Sequence, residues 1–587
     1  MKRWVVGYLA AMVFVSALKW VTPVVLGVPL ELPGDGMEWL IWSWPNELGL
    51  LAGSVGLILL AWWVGRERWG RSWLGWLPVA WLGTQVAALP GTICWATSVD
   101  AVLHFAVAVT LFYLTAATVR DAAGARTIFG ALGLAVVVNA VLGLQQWFGG
   151  LEATRQMAQA YFQPGELPQE FWGRLTSERV FGAMVYPNAL AGLLVLGLGP
   201  LVAWVWMRGR LWRPVVRTVM LVFAVGLVLA VLLLTGSRGG LLAMGAAFLA
   251  WLVCGGERRR GVVLFAVVLV VAVGAVGWEL GLLRRGAGSV GARLDYWSGA
   301  WAIARENFWL GTGPGTFGSV YPKYKTGMTE EAQMAHNNFL QMWSDSGVVA
   351  FGLFALMWAV ACWEAWRLAR ERRGDVVGRS LVAALVGWSV HGLVDFDLYV
   401  PGLGWPAFML MGLVWGLRTD PDQVGEPVGW TMWRGAWLAG AVVVTGFFAV
   451  WCGRSLVATG RWSDGVRLAA MNPWEAYRRM EAAAGAMPVR SFYWMQAGTL
   501  AGRLGRWDEA VKHWEQAVRR DPYRSAGYWW LAQARARAGR PAGEVVEALR
   551  CAVQLNPTKS VYAEELARWE ESVRQGEGGL IQSAPNR

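Results

Sequence analysis

Long apolar runs separated by short charged loops dominate this sequence. Two of the runs, 215–235 and 261–278, hold at most one charged residue each. About 20 residues of helix cross the roughly 30 Å hydrocarbon core of a bilayer, so these runs have the length of membrane spans. Only 16% of the residues are charged, whereas soluble domains carry roughly 25%. The pattern therefore predicts an all-α protein that crosses a membrane many times.

We place about thirteen candidate spans in residues 1–453. They lie near 4–28, 47–65, 73–90, 99–119, 127–148, 188–207, 216–235, 240–254, 261–280, 345–365, 380–397, 402–417 and 435–452. The first run is interpreted as a transmembrane helix and not as a signal peptide, because it is long and lacks a clear small-x-small cleavage site.

Lysine and arginine concentrate in every second loop between these spans, beginning with Lys2 and Arg3 at the N-terminus. Positive residues favour the cytoplasmic side, so the N-terminus is predicted inside and the residues after the thirteenth span outside. The same loops account for the net charge of +12, and nucleic acid is not an expected partner. Two long segments, 149–187 and 281–336, fall on the outer side.

The sequence changes character after residue 453 and becomes polar, with helical periodicity over 454–574. Leu504-Gly-Arg-Trp507-Asp-Glu-Ala510 precedes Asp521-Pro522, and a similar unit about 34 residues later ends at Asn556-Pro557. This period resembles the tetratricopeptide repeat. Such repeats offer a concave surface to a protein partner. The tail 575–587 is predicted to be disordered.

Two residues predicted at the outer face suit an anionic substrate and proton transfer. Arg238 stands in the glycine-rich turn 235–240 between two apolar runs. An arginine there either snorkels at a helix end or binds an anionic group, and the surrounding glycines allow close approach. His336 ends the second outer segment, where a histidine is either an interfacial residue or a proton carrier at neutral pH.

The outer segments supply further candidates. Arg293 is a second outward cation, and the Gly311–Gly315 stretch predicts a tight turn, with a phosphate-cradling loop as the weaker alternative. Arg179 ends the first outer segment, close to Asn188, whose simplest role is the polar start of a span.

His391 and Asp395 lie four residues apart on the eleventh predicted span, and therefore on one helix face. A packing pair and a catalytic pair are equally compatible with this spacing. The five cysteines show no metal-ligand spacing, and neither a metal nor a cofactor is expected.

Taken together, these residues resemble the O-antigen ligase and polymerase superfamily that carries the Wzy-C domain. The matching stretches are Arg179–Ala189, Thr235–Gly240 and Arg293–Gly347, above all His336-Asn337-Asn-Phe-Leu-Gln341-Met-Trp-Ser-Asp-Ser-Gly347. The resemblance covers about residues 1–420, with a Wzy-C core near 220–365, in a branch with C-terminal tetratricopeptide repeats.

The resemblance implies a GT-C-like helical membrane fold in the bacterial inner membrane. It implies metal-independent transfer of a glycan from undecaprenyl pyrophosphate to lipid A-core, a growing glycan or a protein hydroxyl. His336 would be the general base, and Arg238, Arg293 and Arg179 would hold the pyrophosphate. Asn337, Gln341, Asn188, His391 and Asp395 would support the site. A transporter of lipid-linked sugar and an assembly scaffold are the rival functions.

Overall fold

The described part of the chain is built from helices. In a computed structural model, the described residues are 2–64, 73–161, 178–255, 289–326, 331–371, 375–418 and 432–575, and their regular structure is entirely helical. The α-helices of the membrane part are α1 (Lys2–Lys19), α2 (Gly36–Ile41), α3 (Asn46–Val64), α4 (Leu77–Ala87), α5 (Trp95–Thr118), α6 (Ala122–Gln145), α7 (Leu151–Tyr161), α8 (Pro187–Arg208), α9 (Pro214–Leu234), α10 (Arg238–Gly255), α11 (Ser289–Glu306), α12 (Phe317–Val320), α13 (Asn338–Glu371), α14 (Val376–His391) and α15 (Pro401–Arg418). The prediction of an all-α membrane protein is confirmed.

Seven of the described helices are long and apolar enough to cross a membrane. These segments are Asn46–Trp63, Trp95–Thr118, Ala122–Gln156, Pro187–Leu211, Pro214–Leu234, Asn338–Glu371 and Gly435–Leu468. Two shorter apolar helices, Arg238–Cys254 and Val376–His391, match two further predicted spans. The count of thirteen is not confirmed, and the predicted span at 261–280 lies outside the described residues.

Three predicted spans differ from the helices found. The first span, expected over 4–28, ends as a helix at Lys19. The run at 73–90 contains a helix of only 11 residues, Leu77–Ala87. The span expected over 380–397 ends at His391, because Gly392 caps the helix and the chain then turns. Hydropathy detects these apolar runs, but it does not show where the helix ends and the following turn begins.

Helices α5 and α15 lie at the centre of the membrane part and are almost wholly buried. Gly412 and Gly416 of α15 face backbone oxygens of α5, where an added methyl would lie 2.3 Å from the carbonyls of Phe112 and Val119. Small residues spaced by four let membrane helices approach closely. Helices α5 and α15 therefore pack with their backbones in contact.

Loops predicted on the inner side meet at one end of this bundle. Lys2 bonds to Asp121 across the starts of α1 and α6, at 2.8 Å. At the same end, where α5 and α15 both terminate, Arg418 pairs with Glu364 at 2.6 Å and with Glu371 at 2.8 Å. The clustering agrees with the predicted alternation of loop charges.

The repeat part begins inside the last long membrane helix. Helix α16 (Met432–Leu468) is continuous across residue 453, the predicted domain boundary. The remaining helices are α17 (Pro473–Ala486), α18 (Ser491–Arg503), α19 (Trp507–Arg520), α20 (Ser525–Arg537), α21 (Ala542–Leu555) and α22 (Ser560–Arg574). They pack as antiparallel pairs around a core of their own. Of the predicted tail 575–587, all but Gln575 lies outside the described residues.

A buried ion pair fixes the base of the repeats to the membrane part. Arg490 lies 2.8 Å from Asp100 of α5, and both side chains are largely shielded from solvent. Ser455 of α16 donates to Glu47 at 2.7 Å in the same region. A buried ion pair is costly to break because it leaves an uncompensated charge. The repeats are therefore seated against the bundle.

Candidate active site

Arg179 is held in a loop between α7 and α8 by polar residues of neighbouring helices. Its Nε donates to the Thr235 carbonyl at 2.6 Å, and its terminal nitrogen donates to Asn188 Oδ1 at 2.8 Å. Burial lowers the pKa of Arg179 to about 10; Asp395 opposes that shift and Arg293 adds to it. The guanidinium therefore keeps its charge at neutral pH.

The Arg179 loop is anchored by two amide side chains of the α6 region. Gln146 Oε1 accepts from the backbone amides of Phe181 and Gly182 at 2.9 and 2.8 Å. Asn139 Oδ1 accepts from Ala183 at 3.0 Å. These two residues were not among the sequence-predicted candidates, because their role depends on packing between segments that are distant in sequence.

Arg238 is the first residue of α10, three residues after the carbonyl that holds Arg179. Ser237 caps this helix by accepting from the Gly240 amide at 3.1 Å. The next residue, Gly239, packs on Val394, where an added methyl would lie 2.7 Å from Val394 Cγ2. The structure thus brings the Arg238 turn against the loop after α14.

Arg293, His336 and Asp395 meet at that same loop. Asp395 Oδ1 lies 3.4 Å from His336 Nδ1, and Asp395 Oδ2 lies 3.6 Å from an Arg293 terminal nitrogen. The carboxylate is 3% exposed, and the histidine side chain is 25% exposed. The 3.4 Å contact is an ion-pair distance without hydrogen-bond alignment. A buried carboxylate is therefore shared between a cation and a histidine at the edge of solvent.

Charges around Asp395 keep it ionised. It lies in the loop that follows α14, and burial alone would raise its pKa. The His336 contact and the charges of Arg293 and His391 outweigh burial and lower the pKa of Asp395 below the usual range. The site thus contains a carboxylate that persists at every working pH.

The backbone and aromatic neighbours of His336 set the orientation of its ring. Its φ is +50°, an uncommon value for a residue other than glycine. The ring stacks on Tyr296 with centroids 5.7 Å apart and meets the edge of Phe396 at 4.7 Å. Trp297 Nε1 donates to the His336 carbonyl at 3.3 Å. Since Nδ1 faces Asp395, Nε2 is the nitrogen left to meet a substrate.

Asn337 and Gln341 support the histidine segment from its C-terminal side. Asn337 Oδ1 accepts from the amides of Phe339 and Leu340 at 3.0 Å and so caps α13. Gln341 Oε1 accepts from the Ala335 amide at 3.0 Å. Both predicted supporting residues therefore act on the chain on either side of His336.

The Gly311–Gly315 stretch is a structural turn. Asp345 accepts from the amides of Gly315 and Phe317 at 3.0 Å each, and Tyr399 donates to it at 2.9 Å. A carboxylate already occupies the amide groups that a phosphate would need, so the phosphate-cradling alternative is wrong.

The kink at Gly347 within α13 lets this turn dock. Gly347 has φ +83°, and an added methyl there would lie 2.0 Å from the Trp309 carbonyl oxygen. The kink directs carbonyls to the turn, where Gly313 donates to Asp345 O at 2.8 Å. Asp345 lies within the sequence stretch that resembles the family, but sequence alone does not reveal its partners.

The expected pairing of His391 with Asp395 is wrong. Helix α14 ends at His391, so Asp395 does not continue its face. His391 Nδ1 instead lies 2.6 Å from Asp397 Oδ2, and both side chains are buried. Asp395 turns to His336 because the Gly392 cap reverses the chain. Asp397 therefore pairs with the buried histidine, and Asp395 belongs to the solvent-edge site.

An apolar cavity of about 360 Å³ opens between α8, α9 and α10. The ends of these three helices nearest the Arg179 loop carry Asn188, Thr235 and Arg238. Its lining includes Leu198, Val202, Leu229, Met244, Phe248 and Trp251. In the described ranges, no group of three or more His, Cys, Asp or Glu side chains has metal-binding geometry.

Comparison with known proteins identifies two parts of the chain. Residues 223–355 match the O-antigen ligase family, Wzy-C, and include Arg238, Arg293 and His336. Residues 495–560 match the tetratricopeptide repeat family. The comparison with curated proteins gave no match. The chain is therefore a multi-pass membrane protein with a segment similar to the O-antigen ligase (Wzy-C) family, followed by C-terminal helices similar to tetratricopeptide repeats.

Proposed function

We propose that this protein transfers a glycan from polyprenyl pyrophosphate, such as undecaprenyl pyrophosphate, to an acceptor hydroxyl at the extracytoplasmic face. The convergence of Arg179, Arg293 and His336 around Asp395, beside the Arg238 turn, carries the proposal. The family match supports ligase-type or polymerase-type glycan transfer.

His336 is the proposed general base. The acceptor oxygen forms a bond to the anomeric carbon of the donor sugar while the bond from that carbon to the phosphate oxygen breaks. His336 Nε2 takes the acceptor proton, and polyprenyl pyrophosphate leaves. Asp395, 3.4 Å from Nδ1, stabilises the imidazolium that forms. A positioned base contributes about 10²–10⁴ in rate.

The three arginines are the proposed pyrophosphate ligands. Guanidinium groups bind phosphate oxygens through paired donors and offset the charge that develops on the leaving group. Arg238 stands at the N-terminus of α10, where the helix dipole disfavours a cation and favours an anion. The arginines supply positive charge at the leaving group, so the proposed step is metal-independent.

The apolar cavity between α8, α9 and α10 suits the first isoprenoid units of the donor. It lies below the helix ends that carry Arg238 and the Arg179 contacts. Lipid tails are as apolar as the cavity lining, so burial of the chain adds little driving force. The proposed role of the cavity is to align the lipid so that its pyrophosphate reaches the arginines.

The proposed location is the bacterial inner membrane, with the N-terminus cytoplasmic and the repeats extracytoplasmic. The alternation of positive loops supports this orientation. The seating of the repeats near the His336 segment agrees with it, since an extracytoplasmic site requires extracytoplasmic repeats.

Gel profiles of surface glycans in a deletion strain test the function and name the acceptor. Single-unit glycans indicate a lost polymerase, lipid-linked polymer with bare core indicates a lost ligase, and bare protein acceptors indicate a lost protein O-oligosaccharyltransferase. Complementation with the wild type should restore the profile, whereas His336→Ala and Arg238→Ala should not. Glycan transfer would be contradicted if the wild-type strain contains the protein in its membranes and its deletion leaves the glycan profile unchanged.

A further inference from the structure

The last repeats contact the segment that ends in His336. Asn556 Nδ2 donates to Glu331 Oε1 at 2.8 Å, and Lys559 Nζ lies 3.3 Å from the same oxygen. Both residues belong to the loop between α21 and α22. Glu331 precedes His336 by five residues, so this contact lies on the chain that carries the proposed base.

A second contact joins the preceding repeat loop to the aromatic residues under His336. Asp521 accepts from Ser319 Oγ at 3.3 Å and is held by Arg524 Nε at 2.9 Å. Tyr523, between them in sequence, packs against the cluster that contains Tyr296. Because the His336 ring stacks on Tyr296, the repeats touch the packing that orients it.

The segment between these contacts and His336 is held in place by packing and by a hydrogen bond. Gln333 packs directly on Gly318, where an added methyl would lie 2.7 Å from Gln333 Oε1. The Ala335 amide is bonded to Gln341, which belongs to α13. Residues 331–336 are therefore fixed at one end by contacts with the repeats and at the other end by the hydrogen bond to α13.

The repeats are also fixed where they join the bundle. The continuous helix α16 enters them directly, and the Arg490–Asp100 pair secures α18 to α5. A domain attached by one flexible linker would exert no steady constraint on a loop. Attachment at both its base and its loop edge makes this domain a brace across the site.

We propose that the tetratricopeptide domain is part of the transfer site and that Glu331 and Lys559 are positioning residues for His336. This inference rests on the proposed function, because it gives the repeats a role at that same site. The brace acts through the backbone of 331–336, so it should affect the chemical step more than donor binding.

A charge swap tests the contact. The Glu331 side chain is 36% exposed and the Lys559 side chain is 44% exposed, so this ion pair contributes little stability by itself. Lys559→Glu has a larger effect, because it also places two negative charges next to each other. Residues that couple a site to its support change activity by roughly 2- to 30-fold. We expect kcat of the purified full-length protein to fall in that range in Lys559→Glu and in Glu331→Lys, with the donor KM unchanged. The double variant, with the pair reversed, should recover part of kcat, because it restores the ion pair but not the hydrogen bond from Asn556.

Arg550→Glu is the matched control. Arg550 pairs with Glu570 inside the last repeat, away from Glu331, with 59% and 28% exposure. This reversal should leave kcat at the wild-type value. Hydrogen exchange of peptides covering 331–341 gives a readout that needs no transferase activity. The exchange rate should rise in Lys559→Glu and fall back towards the wild-type rate in the double variant.

The outcomes separate the two claims. Wild-type protein that transfers no glycan would overturn the proposed function, while exchange at 331–341 would still report on the brace. Wild-type kcat and unchanged exchange in both single variants would overturn the brace. Loss of kcat in the single variants without recovery in the double variant would also overturn it, because the effect would then not arise from this pair.

Discussion

Replacing Asp395 by Asn removes one charge while keeping the side-chain shape. The carboxylate lies 3.4 Å from His336 and 3.6 Å from Arg293, almost wholly buried. A unit charge pair at this distance is worth about 5 kcal/mol at an effective dielectric of about 20. The histidine is 25% exposed, so we discount this to about 2–4 kcal/mol of transition-state stabilisation. That corresponds to a fall in kcat of about 30- to 1000-fold.

The assay is transfer of glycan from a lipid-linked donor by the purified protein in nanodiscs, with kcat and donor KM measured separately. We expect the loss in kcat, because the imidazolium forms only during reaction. Donor KM should not rise, since Arg293 loses a competing anion. Asp121→Asn is the control: it pairs with Lys2 at the opposite end of the bundle and should retain wild-type kcat. A kcat for Asp395→Asn within threefold of the wild type would refute the proposed role of this pair.

Three further predictions follow from the same geometry. Arg238→Ala should weaken donor use by about 10- to 150-fold in kcat/KM, the loss of a charged hydrogen-bonding group of roughly 1.5–3 kcal/mol; wild-type kcat/KM would contradict its assignment as a phosphate ligand. Gly347→Ala should lower the midpoint of thermal unfolding by several degrees or abolish folding, because φ is +83° and the methyl would meet the Trp309 carbonyl; an unchanged midpoint would show that the kink is dispensable. Because the pKa of Asp395 is lowered in the folded protein, its stabilising contribution should be fully present above about pH 4 and be lost as pH falls through the lowered value. The difference in unfolding midpoint between wild type and Asp395→Asn should then shrink as the pH is lowered from about 5 to about 3, and a difference that grows over that range would contradict the sign of this shift.

The sequence predicts the helical class and most membrane helices because the signal is local. Apolar runs of span length become helices such as α5 and α8, and the 34-residue period becomes the paired helices of the repeats. Where the chain turns, local hydropathy fails: the predicted span runs to residue 397, yet Gly392 ends the helix at His391. Helix ends depend on caps and tertiary contacts, which the apolar pattern does not contain.

The candidate site divides in the same way. Arg179, Arg238, Arg293 and His336 could be predicted from charge and position, since cations are unusual at the outer side of a membrane. Their partners could not be predicted, because each lies in another segment. Asp395 was paired with the nearby His391, whereas a turn brings it to His336.

The role of Asp345 is another property of the folded chain. Its carboxylate accepts from backbone amides of the glycine-rich turn and from the Tyr399 hydroxyl, which is brought there by tertiary packing. Glycine spacing alone is compatible with either a phosphate loop or a tight turn, and only the occupied amides distinguish the two.

In the proposed reaction, His336 takes the acceptor proton during glycan transfer from a polyprenyl pyrophosphate. The most direct test of this step is single-turnover transfer by purified protein, following polyprenyl pyrophosphate release and acceptor glycosylation in one reaction, for the wild type and for His336→Gln. We expect equal amounts of both products in the wild type and a fall of about 10²–10⁴ in the rate of both in the variant, with donor binding retained. Wild-type rates in His336→Gln, or pyrophosphate release without acceptor glycosylation in the wild type, would contradict the proposed reaction.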